Sequence, residues 1–414
     1  MLARRDMGNA GLLATANLAG MALPLVALPI LAQRIGPHAF GLVALAQSVG
    51  MLPVLLVDAG FNTESMCVTG GAREDAPLQP LLDNFLARFR LAVPAASLTL
   101  LAALAIPGLP LSFAAVSLLQ LAGTLLFPQW WLIAIGGTAQ LFALQTLGRL
   151  IAIVGVVVAV QGPQDALLAA TLQCGGTLLS GAMFFALRML PRLGEFASLD
   201  WHAHRHYSAR TLSAVGAGFV LGLSTQAPQL LLGATAGPQQ VGVYATGEKL
   251  ARAVAYAVGA FDQTFIAPIA RQRNRQAREN TRSGQSQHAA DRIVKWLLAG
   301  GALLGAAIAW GSSPLSQLLL GRAFVHTGGV LAVFGIWLPS FVARRAFLNL
   351  KFAAHGRLDL VGRCQYIEAT AVVVLCALGA ATQGALGAAI GLVAAEVCAW
   401  IAIFAVRHRH GEPA

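Results

Sequence analysis

The chain has 414 residues, of which 57% are hydrophobic and only 11% charged, and its mean hydropathy is +0.68. A soluble domain carries about 25% charged residues, so this composition excludes an aqueous surface over most of the length. The net charge of +11 does not call for a nucleic-acid partner, because excess Lys and Arg is what the cytoplasmic loops of a membrane protein carry.

Apolar runs of about 20 residues recur from end to end, each long enough to cross a bilayer as a helix. About twelve spans can be counted by that length rule, so the expected fold is an all-α polytopic membrane protein. Arg4 and Arg5 precede a long apolar run, read as an uncleaved first helix rather than a signal peptide. Spans one and two, about 7–33 and 41–64, are joined at Gly36-Pro37. A polar connector follows with Arg73, Asp83, Arg88 and Arg90. Spans three and four, about 91–106 and 111–134, meet at Pro107-Gly108-Leu109-Pro110. Spans five and six, about 141–160 and 166–187, lead into a basic connector from Arg188 to Arg210 that contains Trp201-His202-Ala203-His204-Arg205-His206. Mixed charge in a cytoplasmic loop explains those histidines as well as metal would. Trp130 and Trp131, at one end of span four, are expected in the interfacial aromatic belt.

The second half repeats the plan. Gly237-Pro238-Gln239-Gln240-Val241-Gly242 matches Gly36-Pro37-His38-Ala39-Phe40-Gly41, roughly two hundred residues on. Spans seven to twelve lie at about 211–234, 241–267, 293–311, 328–349, 360–381 and 386–406. The expected domains are therefore an N-terminal six-helix lobe, 1–206, and a C-terminal six-helix lobe, 207–414. Placing both termini in the cytoplasm puts nearly every basic loop on one side and leaves Arg34 and Arg322 on the other. Both Gly-Pro turns then share the extracytoplasmic face, and the halves are parallel repeats about an axis along the membrane normal. The five cysteines show no paired spacing and read as small core residues.

Ionisable residues within spans are functional candidates by default, because mid-membrane charge costs about 2.5–3.5 kcal/mol on insertion scales. Span eight carries the most informative set. Tyr244, Glu248, Arg252 and Tyr256 recur every fourth residue and form one stripe, with Lys249 beside it. Such a stripe is expected to face an interior, water-filled cavity and an anionic ligand. The alternative is a Glu248–Arg252 ion pair that fastens neighbouring helices, which would not account for Lys249. The aligned first-half residues Gln47, Ser48 and Met51 are uncharged, so a cavity between the halves would carry its cations mainly on one wall. Arg149 in span five either joins them or snorkels to headgroups. Arg344 and Arg345 point about 100° apart on a helix, so at most one is central to a lumen. Asp58 and Asp262 are candidates to carry a coupling proton or sodium ion, with stabilisation of a bend at Gly60 the alternative for Asp58. Glu64, Glu368 and Glu396 are further in-span acids.

No phosphate-cradling Gly-x-x-x-x-Gly-Lys-Ser/Thr pattern occurs, and no connector has room for a nucleotide-binding domain. No cofactor and no metal are expected.

Leu31 to Gly41, followed by Val57-Asp58-Ala59-Gly60-Phe61-Asn62, resembles the start of bacterial polysaccharide biosynthesis proteins. These are the O-antigen and exopolysaccharide repeat-unit flippases of the multidrug/oligosaccharidyl-lipid/polysaccharide (MOP) exporter superfamily. Pro128-Gln129-Trp130-Trp131, Gly148-Arg149-Leu150-Ile151, Val241 to Lys249 and Leu319 to Phe324 look like later landmarks of that family, in order along the chain. The resemblance implies two six-helix lobes around a central cavity. It further implies transfer of an undecaprenyl-pyrophosphate-linked oligosaccharide across the inner membrane by alternating access, with Arg149, Lys249 and Arg252 as headgroup contacts. Arg345 is a further lumenal candidate. Membrane lipid and other glycan-assembly proteins, such as a polymerase, would be its partners. A MATE-like drug antiporter would be expected to have a more acidic lumen, and a membrane enzyme of glycan assembly would need a larger extracytoplasmic loop.

Overall fold

In the computed structural model the second apolar run begins without a loop. Helix α1 (Leu2–Asp58) departs from helical geometry only at Gly36, with φ 75° and ψ 172°. Pro37 to Phe40, expected as part of a turn, instead form the first turn of the continuing helix. Proline suits that position because its missing N–H has no partner there in any helix. Helix α9 (Ala209–Arg278) breaks the same way at Gly237, φ 82° and ψ 172°. Only glycine takes these angles without strain.

The structure describes residues 2–58, 61–69, 78–196, 209–278, 285–353 and 357–409. They form two compact units, Met1–Gly242 and Val243–Ala414. The first holds α1, α2 (Phe61–Thr69), α3 (Gln79–Leu104), α4 (Leu111–Leu126), α5 (Gln129–Ala134), α6 (Thr138–Ala159), α7 (Ala166–Phe184), the short α8 (Leu193–Phe196) and the first part of α9. The second holds the rest of α9 with α10 (Gln285–Trp310), α11 (Ser312–Leu320), α12 (Thr327–Phe347) and α13 (Leu358–Arg409), which breaks at Gly384. Eight helical stretches among the described residues are long and apolar enough to cross a membrane. With the long helices divided at their glycines, the arrangement is consistent with twelve spans. The protein is an all-helical, multi-pass membrane protein.

In the first unit the two Gly-Pro copies cross each other. A methyl group added at Gly41 would overlap the Pro238 carbonyl oxygen, and one added at Gly242 would overlap that of Pro37. The contact is reciprocal between matching positions of the repeat, so both breaks lie at the same end of the bundle. Below it, Gly233 and Gly222 of α9 pack against Leu45 and Leu55 of α1, the small-residue packing that lets membrane helices approach closely. Arg34, just before the first break, donates to the Val157 and Val160 carbonyls, the latter at 2.8 Å. A cation thus satisfies the C-terminal carbonyls of α6.

Span four differs from expectation. Pro128 divides it into α4 and α5, and Trp130 and Trp131 are buried with Phe127, Leu141, Phe184 and Met189. They belong to a core cluster, not to an interfacial belt. Neither indole N–H has a hydrogen-bond partner among the described residues. Arg88, expected in a polar connector, lies inside α3 and is 1% exposed.

Candidate functional site

In the second unit, α9, α12 and α13 bring the in-span charges together. Glu248 is 3% exposed and accepts a hydrogen bond from Arg252 Nε at 2.8 Å, one helical turn on. The local pair therefore forms, as i, i+4 spacing allows. The Arg252 guanidinium also lies over Trp337, 5.8 Å from the ring centroid, and within electrostatic reach of Tyr256 and of Glu368. Lys249 is half-buried beside the pair and is itself partnered.

Tyr244 and Tyr256 have separate surroundings. Tyr244 is fully buried against Phe334, ring centroids 5.5 Å apart, and its hydroxyl lacks a hydrogen-bond partner among the described residues. Tyr256 is half-buried, edge-on to Phe341 at 6.3 Å, and carries the Arg345 guanidinium over its ring at 5.6 Å. Trp337 and Phe341 stack at 4.3 Å between these cations. The result is an aromatic strip on α12 with Arg252 against one member and Arg345 against the ring beside the other, an arrangement that holds guanidinium groups by cation–π attraction.

Arg344 is held in an ion-pair triad with Glu368 and Glu396. It is buried and donates two hydrogen bonds to Glu368, at 2.5 and 2.6 Å, and one to Glu396 at 2.5 Å. Trp400 Nε1 donates to Ser340 Oγ at 2.9 Å, and Ser340 lies 3.5 Å from Glu396. Glu368 and Glu396 lie on either side of the Gly384 break in α13, so this triad joins α12 to both segments of that helix. Each of its members is legible as an in-span charge. Their pairing is not, because it crosses 24 and 52 residues of sequence.

The first unit carries the counterpart positions. Gln47 donates to Gln173, and Ser48 donates to Gln229 at 2.8 Å. Gln120 Nε2 donates to the Gln47 carbonyl at 3.1 Å. Amides and a hydroxyl thus occupy the places that acid and lysine take in the second half. Asp58 is paired: Arg88 donates to it at 3.0 Å and to the Thr124 carbonyl at 2.9 Å, and Asn62 also donates to Asp58. Gly60, the proposed bend, lies outside the described residues. Arg149 is exposed on α6 and makes no hydrogen bond or ion pair among the described residues. The side chains of Asp262, Glu64 and Cys67, and the residues around His202, also lie outside the description. No group of three His, Cys, Asp or Glu side chains suited to a metal ion occurs among the described residues.

The structure thus defines a multi-pass helical protein with a buried lattice of charges and aromatic rings, and comparison with known proteins makes the class specific. The chain shares its fold with a lipid II flippase and with MATE family transporters. It superposes on lipid II flippase MurJ in an inward closed conformation, with TM-score 0.65, 12% identity, and 96% of this chain and 87% of that one covered. An inward-facing multidrug resistance MATE family transporter of the MOP superfamily gives TM-score 0.65 at 14% identity, with 94% of each chain covered. VcmN, a MATE transporter of Vibrio cholerae, gives TM-score 0.53 at 16% identity, covering 99% of this chain and 97% of that one. Residues 7–73 match the family described as polysaccharide biosynthesis protein. No curated protein matches the sequence. The resemblance read from the motifs is borne out: this is a protein similar to polysaccharide biosynthesis proteins, on the fold shared by flippases and MATE transporters.

Proposed function

We propose that the protein moves an undecaprenyl-pyrophosphate-linked oligosaccharide repeat unit, of the O-antigen or exopolysaccharide kind, across the bacterial inner membrane by alternating access. The observation that carries the reading is the aromatic strip of Trp337, Phe341 and Tyr256 with the half-buried Arg252 and Arg345 against its rings, and Lys249 half-buried one residue from Glu248 on α9. A pyrophosphate needs fixed cations in a low-dielectric site, sugar rings pack on aromatic faces, and the prenyl chain can remain in lipid. In this reading Arg149 supplies a further cation from the first half, both termini are cytoplasmic, and the repeats 1–206 and 207–414 are the two lobes. Asp58, Glu248 and Asp262 are its candidate acids for proton or sodium coupling, and a glycan polymerase is a candidate partner in lipopolysaccharide or exopolysaccharide assembly.

A MATE-like antiporter is the second reading. It is favoured by the equal structural likeness to a multidrug transporter and by the three buried or half-buried carboxylates Glu248, Glu368 and Glu396. The test is complementation of a deletion strain by Lys249→Ala and, separately, by Glu248→Gln with Arg252→Gln. Changing that pair together leaves no lone buried charge. Loss of surface glycan with accumulation of lipid-linked repeat units in the cytoplasmic leaflet is expected. Normal glycan export with raised drug sensitivity would favour the antiporter.

A further inference from the structure

Helix α10 presents an unusually bare face. Its candidate span, Ala290–Trp310, has 11% of its most apolar window buried, against 61% for Thr327–Phe352. Arg292, Trp296, Ala299, Gly300, Leu303 and Trp310 fall on one stripe of that face by helical spacing and all are exposed. From Arg292 to Trp310 the stripe rises about 27 Å, close to the thickness of a bilayer's hydrocarbon core of about 30 Å. Trp310 is 92% exposed at one end and Trp296 is 73% exposed near the other, where indoles mark the two membrane interfaces.

At the Trp296 end, Asp291, Arg292, Lys295, Trp296 and Ala299 line a concavity of about 490 Å³. Asp291 is taken up by an ion pair with Lys351, whose ammonium also lies 5.7 Å from the Phe347 ring centroid. Arg292 and Lys295 are exposed and make no hydrogen bond or ion pair among the described residues. Beyond them the surface is open: a Cβ built at Gly300 meets nothing within 4 Å, and Leu298 and Leu303 project outward.

We propose that this end of α10 binds an anionic phospholipid of the surrounding leaflet. Its phosphate sits against Arg292 and Lys295, its glycerol region against Trp296, and an acyl chain along Ala299, Gly300 and Leu303. Charge complementarity selects the headgroup, and continuity with the exposed apolar stripe selects a lipid over a soluble anion. The proposal does not depend on which substrate the protein carries. It gives the cations at this end of α10 a second task beyond orienting the chain, since basic surfaces beside a span hold anionic lipids.

The test uses the full-length protein in a neutral detergent, titrated with phosphatidylglycerol or phosphatidylcholine carrying brominated acyl chains, with quenching of tryptophan emission as the readout. Each cation is expected to contribute about fivefold, so the wild type should prefer phosphatidylglycerol by about 25-fold. Trp310, also exposed, should be quenched by either lipid, so Trp296→Phe should remove the part of the quenching that distinguishes phosphatidylglycerol from phosphatidylcholine. Arg292→Gln with Lys295→Gln should bring the preference close to one while leaving phosphatidylcholine affinity unchanged. If that variant fails to fold, salt at about 1 M should abolish the wild-type preference. Equal wild-type affinity for the two lipids, or a preference that survives both changes and salt, would overturn the proposal. So would undecaprenyl pyrophosphate displacing phosphatidylglycerol from Trp296 at equal concentration, which would make the site one for a prenyl-linked headgroup.

Discussion

Arg344 holds Glu368 through two hydrogen bonds from its terminal nitrogens, at 2.5 and 2.6 Å, while its Nε serves Glu396. One guanidinium thereby joins α12 to both segments of α13. Buried ion pairs seldom stabilise more than a well-packed apolar replacement, but losing one partner is costly. Arg344→Ala is expected to destabilise the protein by about 3–5 kcal/mol, since two carboxylates are left without it. Arg344→Met with Glu368→Leu and Glu396→Leu should recover most of that loss. Unfolding monitored in detergent for both variants measures the difference; equal stability would remove the triad from this structural role.

The crossing of the Gly-Pro copies makes a steric prediction. Gly41→Ala and Gly242→Ala force a methyl group into a facing carbonyl oxygen, and neither backbone can retreat without shifting its helix. A cost of about 1–3 kcal/mol each is expected for overpacking of this kind. Gly194→Ala, where no atom lies within 4 Å of the added carbon, should be close to neutral. Thermal unfolding of the three variants reads the contrast.

Trp130 and Trp131 separate a core from a belt. Buried as they are, they should be protected from brominated lipid chains, whereas Trp310 should be quenched. Trp131→Ala should cost about 3–5 kcal/mol, with loss of the packing on Phe184 at 6.0 Å. Single-tryptophan variants measured in brominated and unbrominated lipid distinguish the two placements.

Arg192, at the end of the apolar stretch Pro163–Arg192, donates to Glu195, beyond that stretch, at 2.6 and 2.7 Å. That hydrogen bond, with the cation's charge, holds the Glu195 carboxyl below its ordinary range. Because the folded-state value is depressed, the pairing stabilises at pH above the ordinary carboxylate range and is lost as pH falls through the depressed one. Selective carboxyl NMR should show Glu195 titrating lower than in Arg192→Gln.

What the sequence made legible follows from which interactions are local. The apolar runs, the breaks at Gly36 and Gly237, and the Glu248–Arg252 pair all rest on patterns local in sequence, and all can be read without a fold. The Arg344 triad, the Asp58–Arg88 pair and the burial of Trp130 and Trp131 depend on which helices become neighbours. Arg88 shows the limit most plainly. It stands among charges that read as a loop, yet α3 starts at Gln79 and carries it into the core. Hydropathy averages over a window and cannot distinguish a solvated arginine from one whose partners, Asp58 and the Thr124 carbonyl, lie 30 and 36 residues away.

The most direct test of the proposed transport is reconstitution. Purified protein in liposomes containing lipid-linked oligosaccharide, extracted from a strain lacking this carrier, should make the glycan accessible to a glycosidase added outside. Lys249→Ala should reduce the rate at least tenfold without changing protein insertion. Transfer that is absent in the wild type, or equally fast in wild type and Lys249→Ala, would contradict the account.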